Sequence, residues 1–274
     1  MLNVPKVWVG NLLCLFCFLS VLSLHAQTAN NTAFSSGETL QYDLYYNWKF
    51  VWVKAGSASM SVTSTIYEGQ PAYRTRLLTR GSSQADRFFV LRDTLTSIVT
   101  QNDMLPRFYS KTDMENKSYR QRKVWFSYAD GKSYAKQQYI NPYGVESWKT
   151  ESDNLCIFDM LSIMLRARSY DPSQFKKGHR IKFTMTDGDG IAPQSLIYRG
   201  KKDVKMKNGV TYRCLIFSFV ETENGKEKEV VTFYVTDDLN HIPVRLDLFL
   251  RFGTAKAYLS GYKGVRNPLT SKKN

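Results

Sequence analysis

Histidine is scarce: three in 274 residues, one of them His25 in an apolar leader. It is the side chain whose ordinary pKa suits proton transfer near neutrality. The other two, His179 and His241, stand beside a turn and just before Pro243, away from any nucleophile motif or metal-ligand spacing. Cysteine is as rare, with Cys14 and Cys17 in the leader and Cys156 and Cys214 beyond it. Two thiols without nearby histidines do not form a structural zinc site. Glycine-rich phosphate loops, dinucleotide fingerprints, helical repeats and low-complexity tracts are all missing. These absences remove the common catalytic constellations, and no cofactor or metal is expected.

Acids offer little more. "DGDG" sets Asp187 and Asp189 two apart, but Ile191, Ala192 and Pro193 follow where a calcium loop would supply further oxygens. A hairpin turn is the better reading. Glycosidase-type carboxylate pairs meet in space rather than in sequence. Glu38, Asp86 and Asp159 are eligible for such a pair, and nothing in the pattern selects them.

What is present begins with the leader. One cation, Lys6, precedes the uncharged run "VWVGNLLCLFCFLSVLSL" and then "HAQ". That is the layout of a secretory signal peptide, residues 1–26, cut after Ala26. The expected location is therefore outside the cytosol, in the periplasm or cell envelope. Bulky residues before Cys14 and Cys17 argue against lipid attachment at either. Export also bears on "KSYRQRKVWFSYADGKSYAKQQY" (117–139), whose cations and rings would otherwise suit nucleic acid. The anions available to an exported protein are lipid headgroups, glycolipids and acidic glycans, so no nucleic-acid partner is expected. Lys6 is the leader's only charge, so nearly all of the net +14 lies in the mature chain. Such an excess favours anionic partners and leaves contact with a membrane surface open. An oxidising compartment permits a bridge between Cys156 and Cys214; buried free thiols are the alternative.

After a small polar lead-in (27–36), read as flexible, the pattern becomes period two. Leu40, Tyr42, Leu44, Tyr46 and Trp48 share one face of a strand, and Val244, Leu246, Leu248 and Leu250 share one face of another. Gly56, Ala58 and Met60 alternate with serines, pointing to close approach of a neighbouring strand or ligand, with packing the better reading. "ADGK" marks a hairpin. Arg120 and Arg122 fall on the face of Val124, Phe126 and Tyr128; Lys123 falls with Tyr119 and Trp125. Divided between two faces, these cations read as a solvated outward hairpin. The one convincing helix is placed at about 154–169, capped by Ser152 and Asp153 and stopped before Pro172. Apolar residues cover most of its circumference, so it is buried on several sides.

"GETLQYDLYYNW", "VKAGSASMSV" and "DDLNHIPVRLDLFLRFGTAKAYLSGY" resemble the bacterial envelope family of unknown function DUF3108. The resemblance rests on Gly37, Glu38, Leu40, Tyr42, Ala55-Gly56, Asp159 in the mid-chain helix, Pro243-Val244-Arg245 and Gly253. It implies an exported β-rich protein and brings no catalytic residues.

The expected fold is mainly β: a large antiparallel curled sheet or open barrel, residues 37–262, with one buried central helix. A basic tail, 263–274, follows and reads as disordered. Two smaller β modules, 37–150 and 174–262, are the alternative. The expected function is non-catalytic binding or carriage of a lipid, glycolipid or glycan, with Arg120, Arg122, Trp125, Arg245 and Arg251 as contacts. A glycan hydrolase with paired carboxylates and a structural partner in an envelope complex are the alternatives.

Overall fold

The structure, a computed structural model, describes residues 30–48, 51–83, 91–115, 118–223, 225–250 and 253–273. The leader, Asp86 and Arg251 lie outside the described residues. Strands dominate. The first half holds β1 (Thr39–Trp48), β2 (Val51–Tyr67), β3 (Gln70–Gly81), β4 (Leu91–Thr100), β5 (Pro106–Glu115), β6 (Ser118–Ala129), β7 (Lys132–Ile140) and β8 (Glu146–Asp153). A two-residue β9 (Ile157–Phe158) and the helix α1 (Met160–Arg168) follow. Then come β10 (Arg180–Thr186), β11 (Ile191–Lys205), β12 (Thr211–Glu223), β13 (Lys226–Thr236), β14 (Pro243–Leu250) and β15 (Gly253–Lys263).

Among the described residues, all fifteen strands belong to one sheet, ordered β8 back to β1, then β15 back to β9. Two up-and-down meanders are thus joined by antiparallel pairing of the first and last strands, Leu40 opposite Tyr262 and Tyr46 opposite Ala255. This is the curled, barrel-like sheet expected from the alternation, not two separate modules. Gly56 shows why the small residues of β2 are needed: a Cβ there would lie 2.2 Å from the Arg80 carbonyl oxygen of β3.

The two ends of the sheet approach each other without a ladder, and side chains close the seam. Thr184 Oγ1 on β10 donates to Asp153 on β8 at 2.6 Å. Gln137 on β7 spans further: its Oε1 accepts from Thr186 Oγ1 (2.7 Å) and the Gly190 amide (2.8 Å), while its Nε2 donates to Glu151 (2.8 Å). The "DGDG" segment is the β10–β11 turn, as expected.

The helix is shorter than its sequence pattern suggested. Ser152 and Asp153 end β8, opposite Tyr134 and Ser133, rather than capping a helix. Ile157 and Phe158 pair in parallel with Thr184 and Met185, so tertiary pairing takes the first apolar residues of the run. The cap is Asp159, whose Oδ1 accepts from the Leu161 and Ser162 amides while Ser162 Oγ returns a bond to the Asp159 amide.

From there the helix is enclosed as expected. Leu161 packs with Leu95, Tyr109 and Val124. Leu165 meets Phe34 and Met104, and Ile163 meets Phe183 and Phe219. Leu161 and Leu165 share one side of the helix and Ile163 lies on the opposite side, so two opposed faces are packed against different parts of the sheet, which requires a concave wall.

Alternating strand direction gives the barrel two distinct ends. The helix plugs one of them. There Asp159 accepts from Ser97 late in β4 (2.8 Å), Arg166 donates to the Asp103 carbonyl in the β4–β5 connection (2.7 Å), and Arg168 reaches Glu38 before β1. The lead-in and tail gather at the same end, which corrects two expectations. Ala33 and Phe34 are fully buried. Arg266 donates to the Asn31 carbonyl (2.6 Å), and buried Ser271 donates to Asp238 (2.6 Å). Polar side chains here find main-chain and carboxylate partners, so the basic composition of the tail does not keep it in solvent. The opposite, open end carries the β1–β2, β3–β4, β5–β6, β7–β8, β10–β11, β12–β13 and β14–β15 connections.

Candidate ligand-binding cavity

Between α1 and the inner face of β1–β3 and β10–β15 lies a cavity of about 350 Å³. Its floor and walls come from the inward positions of the alternating strands: Met60 on β2, Phe217 on β12, Phe233 on β13 and Leu246 on β14. The helix adds Ile163 and Met164. Inward-facing Leu44, Phe233, Leu246 and Leu248 are only partly buried. Side chains that point into a barrel and still meet solvent mark an interior that is open.

Polar groups at the wall are turned away from the cavity by their own bonds. Tyr42 Oη donates to the Pro243 carbonyl (2.9 Å) and burial raises its pKa well above that of a free phenol. Arg168 forms a bidentate pair with Glu38 at 2.6 and 2.9 Å, and donates to the Asn240 carbonyl. His241 Nδ1 lies 2.6 Å from the Arg168 carbonyl oxygen, so this nitrogen holds the proton and donates. Burial lowers the His241 pKa, more than the Arg168 carbonyl raises it, and favours the neutral ring. His179 stacks on Phe175, with centroids 4.4 Å apart. Both histidines are engaged by main chain or an aromatic ring, not by a nucleophile.

The residues expected to contact a ligand are scattered. Arg122 does not join a solvated face: it is directed inward on β6, donates to Asp113 Oδ2 at 2.6 Å, and lies over the Tyr139 ring. Arg120 is opposite Asp113 in the β5–β6 register. Trp125 is on the outer face, stacked against Trp148 with centroids 5.6 Å apart. Arg245, also outside, is held by Asp247 at 2.5 and 2.7 Å and lies over the Tyr234 ring. None of these four lines the cavity. Charge distinguishes these cations in the sequence, whereas the cavity is made by the alternate apolar positions whose other role is core packing. Tyr42, Met60, Leu246 and Leu248 carry the inward alternation in the sequence, but the same spacing serves a filled core equally well.

Cys156 and Cys214 are free. Cys156 immediately precedes β9 and Cys214 is on β12, three strand spacings or about 14 Å along the sheet. A disulfide needs Cα atoms within about 7 Å. Glu38 and Asp159 are fixed by Arg168 and by the helix cap, so neither is available as a general acid or base. Among the described residues, no group of three acidic, histidine or cysteine side chains is placed to hold a metal ion.

A crystal structure of a beta-barrel-like protein of domain of unknown function DUF1849 from Brucella abortus is similar in fold. The TM-score is 0.55 at 11% identity, covering 86% of this chain and 100% of that one. No curated protein matches the sequence. Residues 41–260 match the model of a family described as protein of unknown function (DUF3108).

Proposed function

The chain belongs to the DUF3108 family, and from that premise and the cavity we propose a non-catalytic protein that binds or carries an amphipathic molecule. The apolar part of the ligand, an acyl chain or similar group of a lipid or glycolipid, occupies the space between helix and sheet. In this reading the protein is exported and works in the cell envelope, where such molecules are the available cargo.

The carrying observation is an open cavity of about 350 Å³ whose lining is apolar. Small-molecule sites span roughly 300–1,000 Å³, and an apolar void of only about 150 Å³ already stays dry and takes up benzene. Enclosing an apolar chain there removes both its surface and the wall from water, at roughly 25 cal/mol per Å². Nothing in such a lining favours a sugar, whose hydroxyls would lose their hydrogen bonds. A glycan is therefore the weaker form of the proposal, and hydrolysis has no uncommitted carboxylate pair among Glu38 and Asp159 to support it.

The test is mass spectrometry of an organic extract of protein purified from its own cell envelope. A stoichiometric lipid or glycolipid supports the proposal; an empty, folded preparation that takes up no labelled lipid contradicts it.

A further inference from the structure

Several large apolar side chains exposed among the described residues ring the open end of the barrel, while Ile66, Leu155, Leu239 and Tyr262 are exposed at the plugged end. Val51 and Val53 begin β2 at 63% and 43% exposure, and Phe249 and Leu250 end β14 at 41% and 49%. Across the sheet, Met114 and Tyr119 face each other at the β5–β6 end. In the β7–β8 connection Tyr143 is 90% exposed, with Val145 beside it. These pairs belong to separate hairpins around a rim, not to one flat patch of the kind that buries a protein partner.

Part of this rim continues the cavity. Leu250 follows Leu246 and Leu248, both cavity-lining, on the inward face of β14. Val53 is opposite Tyr46, two residues beyond cavity-lining Leu44 on the same face of β1. An apolar path therefore runs from the interior to the exposed edge. Cations stand on the outer face of the same strands: Lys54, paired with Asp43 at 2.8 Å, and Lys256, over the Trp52 ring at 4.3 Å. Rings with polar tips beside apolar residues, backed by cations, match the layering of a bilayer interface. The net charge of +14 is complementary to anionic headgroups.

We infer that the open end docks on a bilayer containing anionic phospholipid. The hairpin rims of β1–β2 and β14–β15 enter the headgroup layer, so that an apolar chain passes between membrane and cavity without crossing water. The transfer route rests on the cavity binding proposed above; the docking does not.

The experiment is co-sedimentation with vesicles of phosphatidylcholine, with and without one-third phosphatidylglycerol. Wild-type protein binds the mixed vesicles more tightly and loses affinity in high salt. A Val51→Asp/Phe249→Asp double variant loses at least tenfold, whereas Ile66→Asp, altered at the plugged end, binds like wild type. Uptake of a soluble fluorescent fatty acid is measured on the same samples. The double variant retains it, and thereby shows that it is folded. Failure of wild-type protein to bind mixed vesicles, or equal binding by the double variant, overturns the docking, and a protein partner for the rim then takes its place. Vesicle binding without fatty-acid uptake overturns the cavity proposal alone.

Discussion

Arg168 and Glu38, 130 residues apart in sequence, meet in a bidentate ion pair with both side chains at most 2% exposed. The pair fixes the end of the helix to the start of β1, and Arg168 extends it to the β13–β14 connection through the Asn240 carbonyl. Removing one partner strands the other charge in a dry interior, which costs about 3–5 kcal/mol. Arg168→Ala and Glu38→Ala should each lower stability to urea by that amount. Arg168→Lys should not restore it, since an ammonium cannot fill the two-pronged geometry. The Glu38→Met/Arg168→Met double variant should lose less than the sum of the two single losses, because it leaves no unpaired charge.

His241 gives the fold an acid-sensitive contact. Burial holds its pKa below the ordinary 6.5. As pH falls through that value the unfolded chain takes up a proton that the folded ring resists. The contribution is present above about pH 6.5 and is lost as pH drops toward the folded pKa, by at most about 1.4 kcal/mol per pH unit. The residue has φ 45°, a conformation asparagine tolerates. Urea midpoints between pH 7.5 and 5 should fall for wild type, and His241→Asn should flatten that slope. An unchanged slope would remove His241 as its cause.

The thiols report on the core. Burial pushes the Cys214 pKa up to about 12, so almost no thiolate is available at pH 8. Alkylation at pH 8 followed by peptide mapping should leave Cys214 unmodified in folded protein and modify it fully in urea without reductant. A Cys156–Cys214 bridged peptide would contradict the placement of β9 and β12.

How much was legible from the chain depended on whether local pattern or distant pairing decided the outcome. Alternation at Leu40–Tyr46 and Val244–Leu250 correctly assigned inward and outward faces, because period two is a property of the strand itself. The enclosure of α1 was legible for the same reason, in its apolar circumference. The helix start was not: Ile157 and Phe158 look helical in sequence but pair with Thr184 and Met185, and Asp159 emerges as the cap only once those residues are taken. The seam built on Gln137 and Thr186 joins residues 49 apart with no shared pattern. Arg122 was placed on the correct face, but its partner Asp113 lies on another strand, so burial could not be read from its charge. The cavity was the least legible feature: apolar residues that line a void and those that fill a core have the same spacing.

The decisive measurement is affinity for a homologous series of saturated fatty acids, from eight to sixteen carbons, by isothermal titration calorimetry. Each methylene entering the cavity should contribute about 0.8 kcal/mol, or roughly fourfold in affinity, until the space is filled and the gain stops. Burial of apolar surface should give a negative heat-capacity change. Leu246→Trp, which enlarges a partly buried cavity-facing side chain, should shorten the optimum chain. Affinity that ignores chain length, or the same optimum in Leu246→Trp, would contradict a ligand held between helix and sheet.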